Sequence, residues 1–162
     1  MQGLNSGRAP STVRVKREQS RRLATQALYK HHFDPVSAEA VIREFRGALG
    51  YNECDKLYFM QLVRGAIREA EGIDAHIKPL LDRAFESLDP IERALLRIGT
   101  FELLFLPGVP ARVVIDQGVR LAKQFGATGS HTYVNAVLDQ IAHQARQAEF
   151  TGTSEACHTS SS

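Results

Sequence analysis

Four consecutive residues, Asp89-Pro90-Ile91-Glu92, constrain this chain more than any others. Asp89 offers a side-chain oxygen to the free amide hydrogens of a helix start. Pro90 suits the first helical position, and Glu92, three residues after the cap, can bond back to the cap's own amide. The spacing predicts a helix beginning there. Ile91, Leu95, Leu96, Ile98, Phe101, Leu103 and Leu104 make it apolar around much of its circumference, which predicts the central helix of a bundle. Pro107-Gly108-Val109-Pro110 ends it.

The same 3.6-residue period runs through most of the chain. Leu23, Ala24, Ala27 and Leu28 form one face, and Phe59, Met60, Val63, Ala66, Ile67 and Ala70 form a wider stripe. Ile73, Ile77, Leu80, Leu81, Ala84 and Leu88 continue it, with Pro79 expected as a first-turn residue of a restarted helix. A further helix presents Ile115, Gly118, Val119, Ala122 and Phe125 and stops at Gly126. The last runs from a Ser130 cap through Val134, Val137, Leu138, Ile141 and Ala145. No period-2 strand or hairpin signal occurs, so the expected fold is all-α, about seven helices joined by short connections.

At 162 residues, with 43% hydrophobic and 23% charged residues, the chain is sized and composed for one globular domain. The expected division is a disordered tail over 1–13, one helical domain over 14–147 and a second disordered tail over 148–162. No apolar run approaches the roughly 18 residues of a membrane span, and MQGLNSGRAP lacks a secretory h-region. The two cysteines, Cys54 and Cys157, stand far apart, and the expectation is a reduced, cytosolic protein.

Catalytic and metal chemistry find no footing, and no cofactor is expected. Gly126-Ala127-Thr128-Gly129-Ser130 lacks the lysine and the preceding strand of a phosphate loop and reads as a helix stop, a turn and a helix start. His31 and His32 are adjacent and point about 100° apart on a helix, so they cannot chelate one ion. Cys54 has no nearby histidine or cysteine to complete a zinc site.

Charge favours binding. Net charge is +2, yet residues 1–22 hold six basic residues (Arg8, Arg14, Lys16, Arg17, Arg21, Arg22) against Glu18, leaving the rest of the chain at −3. Such an arm serves either as a solubilising tail or as a contact for phosphates, gaining affinity by releasing counterions. Arg17, Arg21, Gln26 and Tyr29 follow at spacings that keep neighbours near one face. Tyr133, beside His131 and Asn135, offers either a half-buried core ring or a plane on which a single-stranded base stacks.

Several separated stretches resemble the NusB family of bacterial transcription antitermination factors. They are Arg21-Arg22-Leu23-Ala24-Thr25-Gln26-Ala27-Leu28-Tyr29, Leu88-Asp89-Pro90-Ile91-Glu92-Arg93-Ala94-Leu95-Leu96-Arg97-Ile98, and Phe101-Glu102-Leu103. Val109-Pro110, Leu121-Ala122-Lys123-Gln124-Phe125-Gly126 and Ser130-His131-Thr132-Tyr133-Val134-Asn135-Ala136-Val137-Leu138-Asp139 follow in the family's order and spacing. The likeness spans about residues 16 to 145.

The resemblance implies two packed helical subbundles and a non-enzymatic role. Family members pair with the small-subunit ribosomal protein NusE, bind the single-stranded boxA element of ribosomal RNA leaders, and join RNA polymerase and other Nus factors to suppress termination. Position by position, it implies RNA contacts at Lys16, Arg17, Arg21, Gln26, Lys123, Tyr133 and Asn135, and NusE contacts at Tyr29, Glu86 and Glu92. Glu92 thus carries two expected roles, capping and partner contact. Glu18 and Gln19 stand where the family has arginines, which weakens the arm or shifts it toward Arg14 and Lys16. Gly129 and Thr132 replace an acidic and a basic residue near the RNA path, and Asp116-Gln117 replaces Asn-Glu.

Two other readings compete. The module also resembles the amino-terminal domain of a ribosomal RNA cytosine methyltransferase, although that enzyme needs a Rossmann-like cofactor domain for which this sequence has no strand or glycine-rich loop. The third is a helical scaffold or homodimer that never touches RNA.

Overall fold

The computed structural model describes residues 11–151. Of the expected tails, 1–13 and 148–162, residues 1–10 and 152–162, Cys157 included, lie outside the described residues, whereas residues 12–13 and 148–151 are helical. Seven α-helices follow in order: α1 (Thr12–Phe33), α2 (Ala38–Phe45), α3 (Lys56–Arg68), α4 (Ala70–Ile77), α5 (Pro90–Phe105), α6 (Ala111–Phe125) and α7 (Ser130–Ala145). Three short 3₁₀ turns, at Tyr51–Glu53, Lys78–Leu80 and Phe85–Ser87, interleave with them, and residues 147–151 form one more helical turn. Among the described residues there is no strand, and no helix is long and apolar enough to cross a membrane. The all-α expectation holds.

The chain divides into two compact units, one ending at Ile67 and the other beginning at Arg68. In the first, α1 starts where the Ser11 hydroxyl accepts the Arg14 amide at 3.1 Å, two residues before the expected domain boundary. Leu23, Ala24 and Ala27 are fully buried there, as are Ile42 of α2 and Phe59, Leu62 and Val63 of α3. Tyr51 packs edge-on against Phe59 with ring centroids 6.0 Å apart. The short helix α2, which the apolar stripes do not single out, is nucleated by the Ser37 hydroxyl accepting the Ala40 amide at 3.1 Å. Arg64 of α3 forks onto the Glu39 carboxylate at 2.6 and 3.0 Å.

In the second unit α5, α6 and α7 pack on one another and α4 lies against α5 and α7. Helix α5 is central to it, as its sequence predicts: ten of its residues are buried, including Glu102. Two glycines permit the close approach. A Cβ on Gly99 would meet Leu138 methyl carbons at 2.8 and 2.9 Å, and one on Gly118 would meet the same side chain at 2.8 Å. Arg97 of α5 forks onto Asp74 of α4 at 2.8 and 2.7 Å.

Beyond Pro79 the structure departs from the expected helix. Helix α4 stops at Ile77, and Pro79 sits in the 3₁₀ turn Lys78–Leu80. The next buried ring is Phe85 in a second 3₁₀ turn, whereas Ala84 is exposed. Two short turns separated by extended backbone at Leu81 and Ala84 thus replace one helix.

Candidate RNA and partner interface

In the first unit two arginines of α1 gather around one tyrosine of α3. The guanidinium carbons of Arg17 and Arg21 lie 4.5 and 5.2 Å from the Tyr58 ring centroid. The Arg21 Nη2 donates to the Tyr58 hydroxyl at 3.1 Å. Asp55 anchors the group: its amide donates to the Lys16 carbonyl at 3.2 Å, and the Ser20 hydroxyl lies 2.7 Å from its carbonyl oxygen. Its carboxylate stands 3.8 Å from Arg17 Nε.

The two arginines therefore differ. Arg17 keeps 41% of its side chain exposed, while Arg21 retains 4% exposure and is part of the packing. Lys16 is exposed and Gln26 half-buried. Tyr29 is 40% exposed and sits edge-on to Phe33, itself 63% exposed, at a centroid distance of 5.1 Å.

In the second unit Tyr133 stands at the start of α7, half-buried. Burial pushes its phenol above the ordinary tyrosine range, against the opposing pull of the Arg83 charge. Arg83 lies over the ring, its guanidinium carbon 4.5 Å from the centroid. Tyr133 is thus both a packed ring and a partly accessible plane. Asn135 and Lys123 are exposed on α7 and α6.

The loop before α7 works differently from its sequence reading. Gly129, at φ 89°, is the cap residue, and Ser130 is instead the first residue of the helix. Its hydroxyl donates to the Glu92 carboxylate at 2.7 Å. Glu92, 8% exposed, is therefore turned onto Ser130, where the sequence suggested a bond back to the cap. Asp89 does cap, accepting the Ile91 amide at 2.8 Å. Gly126 ends α6 as expected, yet its φ is −86°. Glycine is required there by space, since a Cβ would meet the Ala122 carbonyl oxygen at 2.7 Å and Ser130 Cβ at 2.8 Å. Glu86 is exposed, and its carbonyl accepts from Arg93 Nη2 at 3.1 Å.

Sequence reasoning missed Arg83, because its neighbour in space is 50 positions away along the chain. It also missed Arg146. That buried guanidinium donates to the carbonyls of Leu103 at 2.9 Å, Val109 at 2.9 Å, Glu102 at 3.1 Å and Leu106 at 3.0 Å, and to the Glu149 carboxylate. Among the described residues no cluster of three metal-binding side chains occurs.

The NusB family model matches residues 18–143. The chain belongs to the NusB family. It is 44% identical over 135 residues to the transcription antitermination protein NusB of Pseudomonas putida strain W619, covering 83% of this chain and 81% of that protein. It is likewise 44% identical over 133 residues to NusB of Burkholderia lata, covering 82% and 92%. The solved structure of T. maritima NusB superposes with a TM-score of 0.70 at 29% identity, over 82% of this chain and 96% of that one. A crystal structure of the antitermination factors NusB and NusE with double-stranded RNA gives a TM-score of 0.66 at 27% identity, over 78% and 96%.

Proposed function

We infer that this chain is a transcription antitermination factor, non-enzymatic and cytoplasmic, that binds boxA RNA of ribosomal RNA leaders together with NusE and helps RNA polymerase, with other Nus factors, read through terminators. The observation that carries this is a family match across nearly the whole described chain, with relatives named for antitermination at 44% identity. The related NusB crystallised with NusE and RNA bears on both partners.

The geometry suits the role. Lys16 puts an exposed cation and Arg17 a half-buried one on α1, and Tyr133 with Asn135 and Lys123 offers a ring, an amide and a charge. In this reading these contact RNA together with Gln26 and with Arg21, which is 4% exposed and meets RNA from a packed position. Tyr29 and Glu86 face NusE, and Glu92, 8% exposed and bonded to Ser130, reaches it with no more than the rim of its carboxylate. Residues 14–147 carry the binding module in this reading, to which α1 adds Thr12 and Val13 and the closing helical turn adds residues 148–151, Glu149 among them.

The test is fluorescence anisotropy of a boxA RNA and a scrambled control, titrated with the protein at two salt concentrations, with and without NusE. Tighter binding of boxA in the presence of NusE is the expected result. No binding in any mixture, with folding verified, would instead favour a helical scaffold or homodimer.

A further inference from the structure

Tyr133 does not present a bare ring. The Arg83 guanidinium carbon at 4.5 Å from the centroid is in contact with the face. A nucleobase is a plate about 3.4 Å thick, the spacing of stacked bases along a strand. A base and this guanidinium cannot share the same place against the ring.

Arg83 sits at the surface. It lies between the two 3₁₀ turns that connect α4 to α5, and 48% of its side chain is exposed. Its hydrogen bond goes to the carboxylate of the preceding residue, Asp82, at 3.1 Å, and that carboxylate is itself 75% exposed. Asp82 can therefore follow or release the guanidinium without disturbing the core.

We propose that Arg83 is an RNA contact, forming the outer layer of a stack in which a base enters against Tyr133 and the guanidinium shifts outward to cover the base's other face. The proposal rests on the RNA reading of Tyr133 above. Unstacked bases are held on aromatic rings and on guanidinium planes, and here the chain supplies one of each, already in contact. The N–H groups at the guanidinium edge stay available to a phosphate, so the RNA backbone competes with Asp82 for them.

The experiment is a titration of single-stranded boxA RNA, with 2-aminopurine replacing each base in turn, into the wild-type chain and into Arg83→Ala, Arg83→Lys and Asp82→Asn. Helical circular dichroism confirms that each variant is folded. In the wild type one position is expected to be quenched on binding. Arg83→Ala should weaken binding roughly fivefold, lower the log-log salt slope by about 0.7 and relieve the quenching. Arg83→Lys restores charge without the plane, so the slope should recover while the quenching does not. Asp82→Asn removes the competing anion and should bind more tightly. Unchanged or tighter binding by Arg83→Ala, with an unchanged slope, would make Arg83 a mere cover for the ring and overturn the proposal. Failure of the wild type to bind RNA at all would overturn the RNA reading itself.

Discussion

The Ser130 hydroxyl donates to the buried carboxylate of Glu92 at 2.7 Å, tying the first turn of α7 to the first turn of α5. A hydrogen bond to a charged acceptor contributes more than a neutral one, and its removal strands the acceptor away from water. Ser130→Ala is expected to cost about 1.5–3 kcal/mol, read as a lower urea midpoint at unchanged m-value. A shift under about 0.5 kcal/mol, the level of surface substitutions, would mean that water replaces the hydroxyl.

Glu92 is then a poor probe of partner binding, because its loss perturbs the fold. Glu86 is the clean one, exposed in the turn before α5, where its backbone carbonyl accepts from Arg93. Glu86→Ala should weaken NusE binding while leaving both the urea midpoint and RNA binding by the chain alone unchanged. NusE affinity equal to wild type by calorimetry would remove Glu86 from the interface.

Arg146 uses all five guanidinium hydrogens, four on carbonyls at the end of α5 and the loop beyond, one on Glu149. Glu149 in turn accepts the Ala111 amide at 2.9 Å, supplying the cap that Pro110 lacks at the start of α6. That amide bond, reinforced by Arg146, holds the Glu149 carboxyl below the ordinary glutamate range. A carboxyl whose pKa is lower folded than unfolded stabilises the fold at neutral pH, and that contribution disappears as pH falls through the lowered value. Arg146→Lys, with three donors, should cost roughly 3 kcal/mol by leaving buried carbonyls unpaired. Glu149→Gln should flatten the loss of stability on the acid side of the carboxylate range, measured as melting temperature against pH. An unaltered profile would take Glu149 out of the acid response.

What the sequence revealed and what it hid divide along local and long-range lines. Asp89, Pro90 and Gly126 announce helix ends because capping involves residues a few positions apart, and all three stand at ends in the structure. The Glu92 side chain could satisfy either a local amide or a distant hydroxyl, and the distant one wins once α5 and α7 pack. Phe85 breaks the stripe expected after Pro79 because two 3₁₀ turns bury it at a different phase from Leu81 and Ala84. Arg146 and Arg83 read as ordinary surface charges, since the carbonyls and the ring they meet are 37 or more residues away. For Arg17 and Arg21 the helical spacing is right, but only Tyr58 of α3 reveals that one is partly exposed and the other is packed.

The ring of Tyr133 matters more than its hydroxyl, whose oxygen is buried and makes no well-formed hydrogen bond. Tyr133→Phe is expected to keep RNA affinity and to leave stability within about 1 kcal/mol of wild type. Tyr133→Ala should lose about 1–3 kcal/mol of RNA binding. Equal affinities for wild type and Tyr133→Ala in anisotropy titrations would confine the ring to packing.

The different burial of Arg17 and Arg21 separates the charge of the arm from its structure. Each phosphate contact on a single strand contributes about 0.7 to the log-log salt slope. Arg17, with 41% of its side chain exposed and its Nε 3.8 Å from the Asp55 carboxylate, can turn to a phosphate at less cost to the fold than the buried Arg21. Arg17→Ala should therefore reduce the slope by about 0.7 at unchanged stability. Arg21 is buried on Tyr58, so Arg21→Ala should lower the urea midpoint, and Tyr58→Phe, which removes only the hydroxyl it bonds, should reproduce part of that drop. Arg21 contacts phosphate directly only if its slope also falls. Slopes equal to wild type in both arginine variants would leave the basic start of α1 without a part in RNA binding.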